Sequence, residues 1–185
     1  MTNLRPELAL SMLAGAASVL GACGSDGPRW AKRADQIDLA AWKAVCGEKH
    51  DVHDAEPISV DGHTVDPGYH NETFSRPAPG DMLKPPYVDC TFARGLRGQR
   101  LIRAHIDARG RPAELTPELR QRLTALLADL LPPSVHPALH EVASSRGKIR
   151  LVSHGFRIIG GEEMSGASDD PSVHWTLWVD SRPHM

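Results

Sequence analysis

The chain has 185 residues, 41% hydrophobic, 24% charged and 5% aromatic, with 21 Lys and Arg against 23 Asp and Glu. That length suits one domain with a tail, and the near balance of charge leaves no broad basic footprint for nucleic acid. Sixteen glycines and 15 prolines promise many turns without low complexity, so collagen-like, mucin-like and multi-span membrane classes are excluded.

The N-terminus opens with Arg5 and the free amine as its positive end, diluted by Glu7, and residues 8–22 then carry no charge. Fifteen such residues reach about 22 Å as a helix, short of the roughly 30 Å hydrocarbon core, which suits a secretory h-region better than a membrane span. The stretch closes on Leu20-Gly21-Ala22-Cys23, an aliphatic residue and two small ones before a cysteine.

This tetrapeptide resembles the lipobox of bacterial lipoproteins. Small side chains let a signal peptidase approach the backbone, and the Cys23 thiol accepts a diacylglyceryl group. Cleavage before Cys23 then frees an amine for a further acyl chain of the palmitate type. The resemblance covers about the first 23 residues and departs from the pattern only in the weak positive end. It implies a signal peptide over 1–22, a protein held in the bacterial envelope by two or three acyl chains, and the lipid bilayer as first partner. Gly24, rather than an aspartate, follows the cysteine, which by the same resemblance favours the outer membrane over the inner, with the domain in the periplasm or at the cell surface.

Residues 23–33 read as a lipidated tether, with turn formers and charge but no period. A single domain then fills 34–185. A helix is expected over 35–45, where Ile37, Ala40, Ala41, Trp42 and Val45 share a side, with Ala34-Asp35 offering a cap and Gly47 a stop. Residues 47–86 are polar and rich in His, Asp, Pro and Gly. Within them 58–65 reads as a hairpin turning on Asp61-Gly62, and the rest reads as irregular loop.

Strands are expected over 87–93 and 99–107; in the second, Ile102, Ala104 and Ile106 alternate with Arg103, His105 and Asp107, one face buried and one wet. Thr116-Pro117-Glu118 supplies a cap, an N1 proline and an acidic first turn to a helix whose Leu119, Leu123, Leu126, Leu127 and Leu130 form a stripe ending before Pro132-Pro133. Strands over 148–159 and 172–180 follow, separated by a polar loop over 160–171. The order predicts an α+β domain, an antiparallel sheet with helices packed on one face.

With Cys23 taken by lipid, Cys46 and Cys90 remain as an even pair in an oxidising compartment, where a disulfide is expected. It would pin the first helix to the sheet and close the polar 47–86 segment, worth about 4 kcal/mol on loop entropy.

No convergent catalytic set stands out. His50, His53, His63 and His70 lie among Asp51, Asp54, Glu56, Asp61 and Asp66, a ligand set suited to zinc or copper, although the spacing matches no established metal motif. His136 and His140 share a helical spacing without a zincin signature. Ser153 and His154, as neighbours on a strand, should point to opposite faces and form no pair. Gly95-x-x-Gly98 lies among Arg94, Arg97 and Arg100 and reads as a basic strand connection with some capacity for an anion. Glu162-Glu163 and Asp169-Asp170 read as solvated loop carboxylates. Toward the C-terminus, Trp175 shares a face with Val173, Leu177 and Val179 and reads as core, whereas Trp178 faces the other way with His174 and Thr176: burial in the core or under a covering helix is the favoured reading, and exposure as a partner contact the alternative.

The sequence thus points to an envelope lipoprotein whose domain is a non-enzymatic interaction or binding module without a cofactor. The alternatives are a periplasmic metal-binding protein using the four histidines, and, less favoured, an envelope hydrolase of unrecognised family.

Overall fold

The computed structural model describes residues 28–66, 68–77, 86–96, 98–166 and 171–181. Cys23 and the lipobox lie outside them, as does Asp169-Asp170. After a 3-10 turn at Ala34–Gln36, helix α1 (Leu39–Cys46) starts later than expected, because Asp38 supplies the cap: its Oδ1 accepts from the Ala41 amide at 3.0 Å. The helix buries Trp42, Val45 and Cys46 and stops at Gly47, whose φ of +100° places its Cα hydrogens where a side chain would strike the Ser75 carbonyl.

The segment expected as loop, 47–86, instead contributes strands β1 (Glu48–Ala55) and β4 (Tyr69–Arg76) to the sheet. Their sequences show no apolar alternation because β1 is an edge strand and β4 buries little beyond Phe74 and Ser75. Between them β2 (Ile58–Val60) and β3 (His63–Asp66) form the expected hairpin, with φ of +51° at Asp61 and +77° at Gly62 as a type I′ turn requires. Strand β5 (Tyr87–Gly95) and β6 (Leu101–Gly110) complete a meander.

Helix α2 (Pro117–Ala128) begins as the sequence demands, the Thr116 hydroxyl accepting from the Leu119 amide, and α3 (His136–Ser144) follows it. A second meander comprises β7 (Ile149–Ser153), β8 (Phe156–Ser165) and β9 (Ser172–Asp180). The single strand expected over 148–159 is thus broken at His154-Gly155, both in left-handed conformations, and β8 runs on into the expected loop so that Glu162-Glu163 are strand residues.

Seven strands form one antiparallel sheet in the order β1-β4-β5-β6-β9-β8-β7, so the two meanders meet at β6 and β9. The fold is therefore α+β with helices on one face. The core lies between them: Trp42 meets Phe92 edge-on at 5.2 Å, and Ile106, Leu177, Val179, Trp175, Leu123, Leu127 and Leu139 fill the remainder. Trp175 is fully buried and its Nε1 donates to the Ala143 carbonyl at 2.9 Å, tying β9 to α3. The Cys46–Cys90 disulfide joins α1 to β5, with Cα atoms 6.0 Å apart.

The tether also differs from expectation. Its last residues lie on the domain: the Trp30 ring stands edge-on to Phe156 at 5.2 Å, its Nε1 donates to Ser181 Oγ at 2.8 Å, and the Ala31 amide donates to the Leu130 carbonyl. A lone tryptophan among polar neighbours carries no period, so its docking is invisible in sequence. No helix among the described residues is long and apolar enough to cross a membrane.

Candidate functional site

On the sheet face away from the helices, register builds a polar grid. One row runs Thr73, Thr91, His105, Trp178 and Ile159 across β4, β5, β6, β9 and β8, each directly opposite the next. Alternation forces this: residues 104, 106, 108, 175, 177 and 179 point into the core, so 103, 105, 107, 174, 176 and 178 must face outward. Two adjoining open cavities, of about 360 and 310 Å³, follow the grid and share His105 and Asp107.

The centre is aromatic and cationic. His105 stacks on Trp178 with centroids 4.9 Å apart and planes 17° from parallel. The Arg103 guanidinium lies 4.7 Å from the Tyr69 ring centroid and 4.9 Å from that of Trp178, held flat by cation–π attraction. Three buried polar atoms here, Asn71 Oδ1, Arg103 Nε and His105 Nδ1, have no hydrogen-bond partner among the described residues. Buried polar atoms are ordinarily satisfied, so leaving three of them unpaired behind this wall is a cost that the fold carries at the grid.

Carboxylates flank this centre, each held by neighbours. Asp89 accepts from Tyr87 Oη at 3.1 Å, from Thr91 Oγ1 at 3.2 Å and from Ser75 Oγ at 3.4 Å, and the Thr73 and Thr91 hydroxyls are 2.9 Å apart. Asp107 accepts from Arg109 Nε and Nη2, and His174 Nε2 lies 3.1 Å from its Oδ2. Asp180, on the same face, takes Arg157 Nη2 at 2.9 Å.

Protonation follows these contacts. Burial, with the charge of Asp89 and its hydrogen bond, pushes the Tyr87 hydroxyl up to about 12. Burial works to raise the Asp107 carboxyl, but the hydrogen bonds from Arg109 and His174 outweigh it and hold the group below the usual range. Burial lowers His105, with the Arg103 charge adding to the effect and Asp89 and Asp107 opposing it, so its ring favours the neutral form.

The residues singled out in the sequence are scattered. Trp178 lies in the grid, half-buried, with His174 and Thr176 beside it on the same face. His50 sits at a register shift in β1 with Nε2 3.3 Å from the Ser75 carbonyl, and His53 is exposed on the same edge strand. His63 belongs to the separate β2–β3 hairpin, and His70 Nδ1 lies 2.5 Å from Asp54 Oδ1. Among the described residues no group of three or more His, Cys, Asp or Glu is placed to hold a metal ion. His136 turns its Nε2 toward the carbonyls of Ala128 and Leu131. Ser153 and His154 do meet, with Oγ and Nδ1 3.0 Å apart: the φ of +50° at His154 takes it out of strand geometry, which is why strict alternation misplaces it.

The sequence exposed the wet face of β6 but did not single out Arg103 or His105, nor Asp89 and Thr91 on β5. The available signal was polar residues at every second position of central strands, where a covered sheet would carry apolar ones.

Fold and site together define an α+β domain with one sheet face covered by helices and the other carrying an open polar groove. The chain matches no protein-family model, no curated protein and no solved structure.

Proposed function

We propose that this chain is a bacterial envelope lipoprotein, anchored through acylated Cys23, whose domain is a non-enzymatic binding module that receives its partner on the open sheet face. The lipobox at Leu20-Gly21-Ala22-Cys23 supports the anchor, and Gly24 favours the outer membrane. The observation that carries the binding reading is the clamp of Arg103 between Tyr69 and Trp178, with His105 stacked alongside. Flat aromatic rings with few rotatable bonds, and a guanidinium already held against two of them, make strong contacts at little further entropic cost. Asp89 and Asp107 are tied into their neighbours, which suits a rigid recognition surface.

Mass spectrometry of the protein extracted from bacterial membranes tests the anchor: residues 1–22 should be gone and Cys23 should carry acyl mass, whereas an unprocessed Met1 overturns it. For the groove, cross-linking in intact envelopes should yield an adduct with the natural chain that Trp178→Ala abolishes. An adduct unchanged by Trp178→Ala, or none with the natural chain, argues against the open face as the binding surface.

A further inference from the structure

The open face holds a guanidinium whose donors are unused. Arg103 lies flat between the Tyr69 and Trp178 rings, 4.7 and 4.9 Å from their centroids, with its Nε sealed beneath the surface. The side chain lines the cavity of about 360 Å³, and its terminal nitrogens take part in no hydrogen bond or ion pair among the described residues.

The carboxylates of the face are engaged elsewhere. Asp180 stands opposite both Arg103 and Arg157 in register, is wholly buried, and takes Arg157 Nη2 at 2.9 Å. Asp107 accepts from Arg109 and lies 3.1 Å from His174 Nε2. Asp89 accepts from three hydroxyls and sits four residues along β5 from Ala93, which faces Arg103, a separation of about 13 Å at the rise of a strand.

Past the Trp178 ring the surface turns apolar. The second cavity, of about 310 Å³, is lined by Trp178, Ile159 and Thr176, with exposed Lys148 also on its wall. Lys148 likewise has no ion pair among the described residues. Arg103 on β6 and Lys148 beside β7 thus bracket an apolar well carried by β9 and β8.

We propose that the open face receives an acidic peptide segment of a protein partner, with a glutamate or aspartate carboxylate seated on the Arg103 fork and an apolar side chain two residues away in the Trp178–Ile159 well. The proposal rests on the reading of this face as a binding surface and names the chemistry of what it binds. Parallel N–H groups of a guanidinium match the two oxygens of a carboxylate, and the aromatic clamp has already fixed the plane of this one, so little rotamer freedom is left to lose. In an extended peptide, side chains two residues apart point the same way and stand about 7 Å apart, the reach needed to pass across the Trp178 ring. Lys148 adds attraction for the same sign of charge.

The test titrates the nitrogen-labelled full chain with blocked tripeptides and follows the tryptophan indole signals by NMR. Acetyl-Glu-Ala-Leu-amide should shift the Trp178 indole and leave that of buried Trp175 in place. Acetyl-Gln-Ala-Leu-amide, which lacks the charge, and acetyl-Glu-Ala-Ser-amide, which lacks the apolar group, should each bind about tenfold more weakly. In Arg103→Gln the preference for glutamate over glutamine should vanish while the preference for leucine over serine remains, which shows that the face is still folded. Equal affinity of the natural chain for the glutamate and glutamine probes overturns the proposal, as does a glutamate preference that survives Arg103→Gln. No shift with any tripeptide also overturns it, and a shift with a chitin tetrasaccharide in their place would assign the face to a glycan. An envelope adduct that still depends on Trp178 would in either case leave the open face standing as a binding surface of other chemistry.

Discussion

His105 and Trp178 face each other across the β6–β9 seam, ring on ring at 4.9 Å, on the side of the sheet that no helix among the described residues covers. Three residues earlier on the same strand, Trp175 is wholly buried among the helices. The two tryptophans should respond differently to truncation. Trp175→Ala removes a core ring and the Nε1 bond to Ala143, and should cost about 3–5 kcal/mol of stability. Trp178→Ala removes a half-buried stack and should cost about 1–2 kcal/mol while abolishing partner capture. Urea midpoints measure the first effect and envelope cross-linking the second; a Trp178 variant as unstable as the Trp175 variant would make the open-face ring structural.

The protonation of His105 should be visible in stability. Burial holds its folded pKa below 6.5, so between the folded value and 6.5 the unfolded chain binds more protons than the folded one. Stability from this group is therefore complete above about pH 6.5 and is lost as pH falls through that window. His105→Gln should flatten the corresponding part of the stability–pH curve. Ring-proton NMR of the natural chain should show a His105 midpoint below 6.5, and Arg103→Gln should move that midpoint upward by removing a neighbouring cation. A midpoint above 6.5 contradicts the buried neutral ring.

Cys46 and Cys90 are both fully buried, and their bridge spans a sequence separation of 44, enclosing β1 to β4. Loop entropy of that size corresponds to about 4 kcal/mol, and for a chain of this length about 2–4 °C of melting temperature per kcal/mol. Reduction, or Cys46→Ala with Cys90→Ala, should lower the melting midpoint by roughly 8–16 °C. Hydrogen exchange should rise first in β1 and β4, which have only each other and β5 as sheet neighbours. A midpoint indifferent to reductant would place the stabilisation elsewhere.

What the sequence made legible follows where local signals and tertiary packing agree. Thr116, Pro117 and the leucine stripe specify α2 by themselves, Asp61-Gly62 specifies its turn, and β9 spans 172–180 as its alternation requires. Cysteine parity gave the disulfide once Cys23 was assigned to lipid. The strands β1, at the sheet edge, and β4, between β1 and β5, were not legible because strands with a polar sequence owe their place to backbone pairing, which side-chain pattern does not record. The groove was half legible: alternation put Arg103, His105 and Asp107 on a wet face, but only register could set His105 against Trp178 and Arg103 between two rings.

Gly160-Gly161 illustrates the same limit from the other side, since paired glycines read as the start of a loop and are in fact a crossing point within β8. Gly161 has φ of +129°, and a Cβ there would lie 2.1 Å from the Gly147 carbonyl oxygen and 2.5 Å from Ser145 Oγ. The chain after α3 passes this close because Glu162 N donates to the Ser145 carbonyl and Gly147 N donates to the Glu162 carbonyl, a short parallel bridge. Gly161→Ala therefore meets both conformational strain and a backbone clash, and should cost about 2–4 kcal/mol. Gly62→Ala provides the contrast: φ is +77°, but nothing lies within 4 Å of the added carbon, so strain alone should cost about 1 kcal/mol. Urea unfolding of the two variants separates the terms, and amide exchange at Gly147 and Glu162 should accelerate only in Gly161→Ala. Equal destabilisation of the two would mean that the crossing relaxes freely, and with it the tie between α3 and β8.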